Sequence, residues 1–152
     1  MHKVLSETWC IPISDEIHAA EARRDVLIMA RRLGFGSTAA YHLAIAVTEL
    51  AINICHHAGS GEICLRTITD QDRIGIEVIA RDRGPGIADI ELALRDGYST
   101  WGSLGCGLSG VQRLLDELEI DSKAGQETRV RGCKWLTPPL NPAKITISRE
   151  AL

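Results

Sequence analysis

The stretch that decides the fold opens as Asp82-Arg83-Gly84-Pro85-Gly86-Ile87 and closes as Gly102-Ser103-Leu104-Gly105-Cys106-Gly107-Leu108. Its first part places a carboxylate at the exit of an apolar strand, directly before a glycine turn. Its second part is a glycine-rich loop directly before a helix. Glycine lets backbone N–H groups approach a phosphate closely, and a helix N-terminus favours an anion. The stretch therefore predicts a nucleotide pocket.

Asp82 is the residue that we expect to bind the base. A carboxylate at a strand end can accept a hydrogen bond from an exocyclic amine, which adenine carries where guanine presents a carbonyl. Gly84 and Gly86 would let the chain fold beneath that base. Asp-x-Gly-Pro-Gly is also a good turn sequence in any fold, so these residues alone leave an ordinary turn open.

The phosphate-binding prediction rests on Gly102, Gly105 and Gly107. Their Gly-x-x-Gly-x-Gly spacing differs from the dinucleotide fingerprint, and no strand directly precedes it. The chain also lacks the Gly-x-x-x-x-Gly-Lys of a P-loop. Cys106 lies inside this loop. It can be interpreted as a small residue that fills space or as a redox-sensitive thiol.

Size and composition are those of one globular domain. The chain has 152 residues, 45% of them hydrophobic, and a net charge of −3, which fits a single core. The missing basic excess argues against nucleic acid or an anionic membrane as a partner. No apolar run approaches the ~20 residues of a membrane span, and the first residues do not resemble a signal peptide. We therefore expect a cytoplasmic protein.

The cysteines predict reduced thiols. They are scattered, odd in number and contain no Cys-x-x-Cys pair, which suits cytoplasm better than a disulfide framework or a zinc site. The five are Cys10, Cys55, Cys64, Cys106 and Cys133.

Capping residues and glycines mark the expected helices. Ser14 is the expected N-cap of a first helix that ends at Gly34. Ser37 is the expected cap of a second helix, which runs to about Ala58. A third is expected after the glycine loop, with a buried stripe from Leu108 to Leu118.

Alternating apolar residues predict the strands. Pro12 suits an edge position in an extended segment, because it cannot donate to a ladder. The expected segments are 7–13, 62–69, 73–81, 120–123 and 128–136, with a short helix over 90–95 and one further short strand possible around Ile145 and Ile147.

The second helix carries a polar stripe beside its apolar one. Leu43, Val47 and Leu50 repeat at core spacing. Glu49 and Asn53 lie one turn apart on another face, about 6 Å apart along the axis. A solvated helix face would show the same pattern, so this pair alone is not diagnostic.

Taken together, three motifs in this order resemble the GHKL ATPase/kinase superfamily. They are Glu49-x-x-x-Asn53, Asp82-x-Gly84-x-Gly86 and Gly102-x-x-Gly105-x-Gly107, which are similar to its N box and its two glycine boxes. Glu49-Leu50-Ala51-Ile52-Asn53-Ile54, Gly107-Leu108-Ser109-Gly110-Val111 and Lys134-Trp135 narrow the likeness to RsbT-type serine/threonine kinases. The resemblance covers roughly residues 7–136.

The resemblance implies a fold and a domain division. It implies an α+β, two-layer sandwich of the GHKL (Bergerat) type, with a mixed, mostly antiparallel sheet and three main helices on one face. The ATP-binding kinase domain would span 1–136, and 137–152 would be a C-terminal tail.

It also implies roles for individual residues. Asn53 would coordinate Mg²⁺, and Glu49 would be the general base or would orient the attacking hydroxyl. Asp82 would bind the adenine amine of ATP, and Thr128 would support it. The other residues expected to contact ATP are Gly84, Gly86, Ile87, Gly102, Gly105, Cys106, Gly107 and Leu108.

The function implied by the resemblance is that of a partner-switching kinase. It would phosphorylate a serine or threonine on a STAS-domain partner in a stressosome-type pathway and, when released, activate a PP2C-type phosphatase by binding. Two alternatives remain: a nucleotide-regulated binding module without catalysis, and an anti-sigma factor kinase that sequesters a sigma factor. A histidine kinase is disfavoured, because no long helix pair with a phosphoacceptor precedes the ATP region.

Overall fold

The computed structural model describes residues 2–5, 7–86, 94, 107–123 and 125–136. Within them, three helices and six strands follow one another as β1 (Lys3–Val4), β2 (Trp9–Ile13), α1 (Glu16–Leu33), α2 (Ser37–His57), β3 (Gly61–Asp70), β4 (Arg73–Asp82), α3 (Gly107–Leu114), β5 (Glu117–Ser122) and β6 (Thr128–Trp135). The expected helix over 90–95, most of the glycine loop and the tail lie outside the described residues.

The strands form one six-stranded sheet. Its order is β1-β3-β4-β6-β5, and β2 also pairs with β3. All of the pairings between these strands are antiparallel, so the parallel component of the expected mixed sheet is not found in the described part. β3 and β4 are joined at Gln71 and Asp72, and Gln71 has a φ of 54°. The break expected between the strands 62–69 and 73–81 is confirmed.

The hydrophobic core lies between the sheet and the helices. Ile63, Leu65 and Val78 on the sheet pack with Leu43 and Val47 of α2 in one buried cluster. Because side chains alternate along a strand, residues such as Arg66 and Glu77 point to the other face. The sheet thus has a helix-covered face and an open face, as the two-layer prediction required.

The start of α1 corrects one expectation. Asp15, not Ser14, is the N-cap: its carboxylate accepts hydrogen bonds from the backbone N–H groups of Ile17 and His18 at 2.8 and 3.4 Å. The backbone N–H of Ser14 instead donates to Nδ1 of His18. The C-terminal prediction is confirmed, because Gly34 ends the helix in a left-handed conformation with a φ of 94°.

α2 begins one residue after its cap. Gly36 occupies the N-cap position with no side-chain hydrogen bond, so Ser37 is the first helical residue rather than the expected cap. By length and hydropathy, α2 is the one helix in the described ranges that could cross a membrane, and half of the qualifying segment is buried within the protein. Core helices of globular proteins pass the same test, so this is weak evidence for a span.

The third helix is shorter than expected. It ends at Leu114, and Leu118 lies in β5 opposite Gly132 of β6. The side chain of Leu118 still packs against the core. A helix and a strand would each direct the side chain of Leu118 into the core. Its place in the apolar repeat therefore did not locate the end of the helix.

Two of the cysteines contradict the expectation of reduced thiols. Cys10 and Cys64 form a disulfide. They are directly opposite in the β2–β3 ladder, with Cα atoms 4.0 Å apart, although 54 residues separate them in the chain. This proximity follows from the strand register, which the sequence spacing does not reveal. Cys55 and Cys133 are free thiols.

Candidate functional site

α2 presents Glu49 and Asn53 on one face. Nine residues of this helix are buried, and Glu49 is among them with 0% of its surface exposed. Asn53 follows one turn later and is half-buried. An acidic residue at a fully buried position of an apolar helix departs from the usual preference for exposure. Its place one turn before the half-buried Asn53 makes Glu49 a candidate functional residue.

Asp82 ends β4 and orders the turn after it. Its Oδ1 accepts a hydrogen bond from the backbone N–H of Gly84 at 2.9 Å. Its backbone pairs with Gly61 on one side and with Thr128 on the other. The residue is half-buried. One carboxylate oxygen therefore holds the glycine turn, while two neighbouring strands fix the backbone.

Close backbone packing brings the end of α2 to this turn. A Cβ atom on Gly84 would lie 2.6 Å from the Cβ of Ala58, the residue that follows α2. A Cβ on Gly61 would lie 2.9 Å from a methyl group of Ile54 and 3.1 Å from the Cβ of Asp82. The approach of α2 thus requires glycine at Gly84, whereas at Gly61 such a Cβ would first overlap the backbone carbonyl oxygen of Arg81 in β4. Asn53, which precedes Ile54, lies on that same last part of the helix.

The hairpin between β5 and β6 supports the turn from the other side. Gly86 has a φ of 75°, and a Cβ there would overlap the backbone carbonyl of Lys123. The backbone N–H of Gly125 donates to the carbonyl of Pro85. The turn after β4 is therefore held between α2 and this hairpin.

Thr128, the residue expected to support Asp82, lies in β6. It is buried, with 7% of its surface exposed, directly opposite Asp82 in the ladder. Its hydroxyl group is 2.7 Å from the hydroxyl of Ser122. Sequence reasoning missed Ser122, which faces Thr128 only because of the β5–β6 register.

His57 lies within the electrostatic reach of Asp82. Burial lowers the pKa of His57 below its usual value and the neighbouring His56 lowers it further, while the charge of Asp82 opposes both effects. The sequence left both histidines without an assigned role.

The start of α3 contributes two of the predicted residues. Gly107 begins the helix with a φ of 48°. Leu108 is buried in the core beside Val111, so a contact with phosphate would have to come from its backbone. Ile87, Gly102, Gly105 and Cys106 lie outside the described residues, and their predicted contacts stay predictions.

Known proteins resemble this chain over most of its length. The model of the family described as "Histidine kinase-like ATPase domain" matches residues 12–134. Serine/threonine-protein kinase RsbT of Bacillus subtilis (strain 168) is 40% identical over 132 residues, which cover 87% of this chain and 99% of that protein. The anti-sigma F factor of Caldanaerobacter subterraneus subsp. tengcongensis is 36% identical over 97 residues, covering 60% and 66%. The histidine kinase domain of the blue-light activated histidine kinase of Erythrobacter litoralis EL346 aligns over 80% of this chain and 60% of that chain, with a TM-score of 0.46 and 20% identity.

The chain belongs to the histidine kinase-like ATPase domain family and, within it, to the RsbT-like serine/threonine-protein kinases. The expected GHKL-type fold and the RsbT-like resemblance are thereby confirmed.

Proposed function

We propose that this protein is an ATP- and Mg²⁺-dependent serine/threonine kinase that acts in a bacterial partner-switching pathway in the cytoplasm. One observation carries the proposal. Glu49 and Asn53 share a face of α2, and the last turns of that helix pack directly on the residues around Asp82. Two adjoining elements would thus supply the base, the metal ligand and the adenine-binding carboxylate.

The described residues fit a bound nucleotide and its metal. The carboxamide oxygen of Asn53 is a hard ligand of the kind that Mg²⁺ takes, and its half-buried position leaves room for the waters that this ion keeps. When bound, Mg²⁺ would neutralise phosphate charge. Oδ1 of Asp82 is engaged with Gly84, which leaves the second carboxylate oxygen to accept the adenine amine.

Glu49 would handle the proton of the attacking hydroxyl. Phosphoryl transfer depends mainly on positioning and charge neutralisation, so a base that orients the nucleophile is sufficient. Complete burial on a packed helix keeps the carboxylate in a fixed position. The Thr128–Ser122 pair would hold the strand on which Asp82 lies.

The substrate would be a serine or threonine on a STAS-domain protein, and the released kinase would bind and activate a PP2C-type phosphatase. Support comes from the likeness to the kinase RsbT over almost the whole length of that protein. A non-catalytic binding module would not need a base at the position of Glu49, whereas a kinase would use one to orient the attacking hydroxyl.

The deciding experiment mixes the protein with Mg-ATP and a candidate STAS-domain partner and maps phosphorylated residues by mass spectrometry. We expect one modified serine or threonine on the partner, and none when Asn53→Ala replaces the native protein. ATP binding by calorimetry without any modification of the partner would instead support the non-catalytic binding module.

An anti-sigma factor activity is the second candidate. The 36% identity to an anti-sigma F factor favours it. A kinase of this kind would also hold a sigma factor, so co-purification with a sigma factor in the presence of ATP tests it. Failure to capture one, together with phosphorylation of the STAS-domain partner, would favour the first proposal.

A further inference from the structure

A second polar cluster lies on the open face of the sheet, which the proposed kinase site does not use. Its floor is Trp135, whose ring extends over Gly75: a Cβ on this glycine would lie 2.8 Å from the ring. Arg73 covers the ring at 4.1 Å, and the imidazole of His2 packs edge-on with ring centres 4.9 Å apart. The N-terminal segment is thereby brought across the sheet to β5 and β6.

Three metal-binding side chains converge at this point. Nε2 of His2 lies 3.2 Å from Oε1 of Glu117. The ligand atoms of His2, Glu117 and Cys133 are all within 4.8 Å of one another. Cys133 is completely buried, and the other two are half-buried. They come from the N-terminal segment, β5 and β6, so only the folded chain brings them together.

We propose that His2, Glu117 and Cys133 form a binding site for one divalent transition-metal ion, with Zn²⁺ as the best-matched ion. A nitrogen, an oxygen and a sulfur ligand are the set that zinc accepts, and Mg²⁺ and Ca²⁺ would not choose the thiol or the imidazole. The edge of a tetrahedron with bonds of about 2.0 Å is about 3.3 Å, and the His2–Glu117 hydrogen-bond distance of 3.2 Å would let both atoms bind one ion with little movement.

The surrounding residues orient the ligands. Nδ1 of His2 faces Asp70, with 3.8 Å between Nδ1 and the carboxylate oxygen. A metal-bound histidine usually donates its other ring N–H to a carboxylate, and Asp70 would have to move closer than 3.8 Å to accept that hydrogen bond. The indole N–H of Trp135 donates to Oε2 of Glu117 at 2.8 Å, which leaves Oε1 to face His2 and the ion.

A second group of potential ligands is less suitable. Cys10, Glu62 and Cys64 also lie close together, but the two cysteines are joined in a disulfide. Disulfide sulfurs are not thiolates, and the thiolate is the form that binds metal. The free thiol of Cys133 distinguishes the open-face cluster from this one.

The test uses untagged full-length protein, without nucleotide, in anaerobic buffer free of thiol reductant. Co²⁺ is titrated as a spectroscopic substitute for Zn²⁺, and sulfur-to-cobalt charge-transfer absorption in the near ultraviolet reports a thiolate ligand. We expect one equivalent of Co²⁺ to give this band and Zn²⁺ to displace it. Cys55→Ser, which removes the other described free thiol, is the matched control and should keep the band.

Variants assign the ligands. Cys133→Ser should lose the charge-transfer band, and His2→Gln and Glu117→Gln should weaken Co²⁺ binding by at least about tenfold. Zn²⁺ should raise the melting temperature of the native protein and not that of His2→Gln, and the melting temperatures of both proteins without metal show whether the variant is folded. No band in the native protein, or a band that survives in Cys133→Ser, would overturn the proposal. Intact kinase activity would not bear on it, so it can fail without the proposed function failing.

Discussion

Two glutamates in the described part of the chain are almost completely buried, and they lie on opposite sides of the sheet. Glu77 has 1% of its surface exposed on the open face, where Arg66 and Arg131 contact its two carboxylate oxygens at 2.5 and 2.6 Å. Glu49 has 0% exposed in the helical layer, one turn before Asn53. The same residue type at the same burial thus has two different environments.

Burial alone therefore does not identify a functional carboxylate. Glu77 is fixed between two guanidinium groups on neighbouring strands, and Arg131 continues to Glu119 of β5 at 3.5 Å. These ion pairs connect β3, β4, β6 and β5, so Glu77 has a structural role. Glu49 lies on the helix that packs at the exit of β4, beside a potential metal ligand. Its neighbours, rather than its burial, support a role in catalysis.

The largest expected effect comes from Glu49→Gln. It should lower phosphotransfer to the STAS-domain partner at least about 100-fold, the usual contribution of a general base, because the amide cannot accept the proton. ATP affinity, measured by calorimetry, should change little. Glu21→Gln on the exposed side of α1 is the matched control. A fully active Glu49→Gln protein would assign the base elsewhere.

Glu77→Gln should lower the stability of the fold and leave phosphotransfer unchanged. Removing the shared partner of Arg66 and Arg131 should cost about 2–3 kcal/mol, below the full cost of breaking a buried pair because Arg66 is partly exposed. The melting temperature should fall by about 5–10 °C in a calorimetric scan. Phosphotransfer at a temperature where the variant is folded should be retained. A loss of phosphotransfer without a loss of stability would erase the contrast between the two glutamates.

Asp82→Asn tests the proposed adenine contact on the helix-covered face. The amide oxygen can still accept the hydrogen bond from Gly84, so the turn should persist and the melting temperature should stay close to that of the native protein. The new NH₂ group would meet the adenine amine donor to donor, so ATP affinity should fall by about tenfold or more. Calorimetric titration with ATP checks the affinity; an unchanged value would remove Asp82 from the site.

The smallest effect is expected far from both glutamates, at the start of α1. Asp15→Ala should cost about 1 kcal/mol, because it removes the acceptor of two backbone N–H groups. Ser14→Ala should cost less, since the hydroxyl of Ser14 contacts His18 rather than the helix backbone. Chemical denaturation of the two variants compares them. Equal losses would contradict the assignment of Asp15 as the cap.

Much of the fold was predictable from local residues. Three features follow from short-range chemistry and lie where they were expected. They are the end of α1 at Gly34, the break between β3 and β4 at Gln71 and Asp72, and the apolar stripe of α2 with Glu49 and Asn53 beside it. The wrong predictions occurred where two neighbouring residues, or two types of secondary structure, have similar propensities. Ser14 and Asp15 are both good caps, and Leu118 suits a helix stripe and a strand equally well.

The candidate site was predictable as a set of residues but not as an arrangement. The order of the motifs indicated Glu49, Asn53 and Asp82, and the family resemblance added Thr128. The roles of Gly61 and Ser122 were missed, since they depend on which backbone approaches them in space. Their signals, a glycine at a strand start and a serine at a strand end, are too common to be diagnostic.

By itself, the sequence determined the class of fold and the family, because the spacing of glycines, acids and apolar residues is a local property of the chain. Tertiary structure decided which residues meet. The β2–β3 register joined Cys10 to Cys64 against the expectation of reduced thiols, and the sheet order placed Glu77 between two arginines. Pairings between distant residues depend on strand register and on the packing of whole elements, and a slip of one residue would reverse every side chain between the two faces.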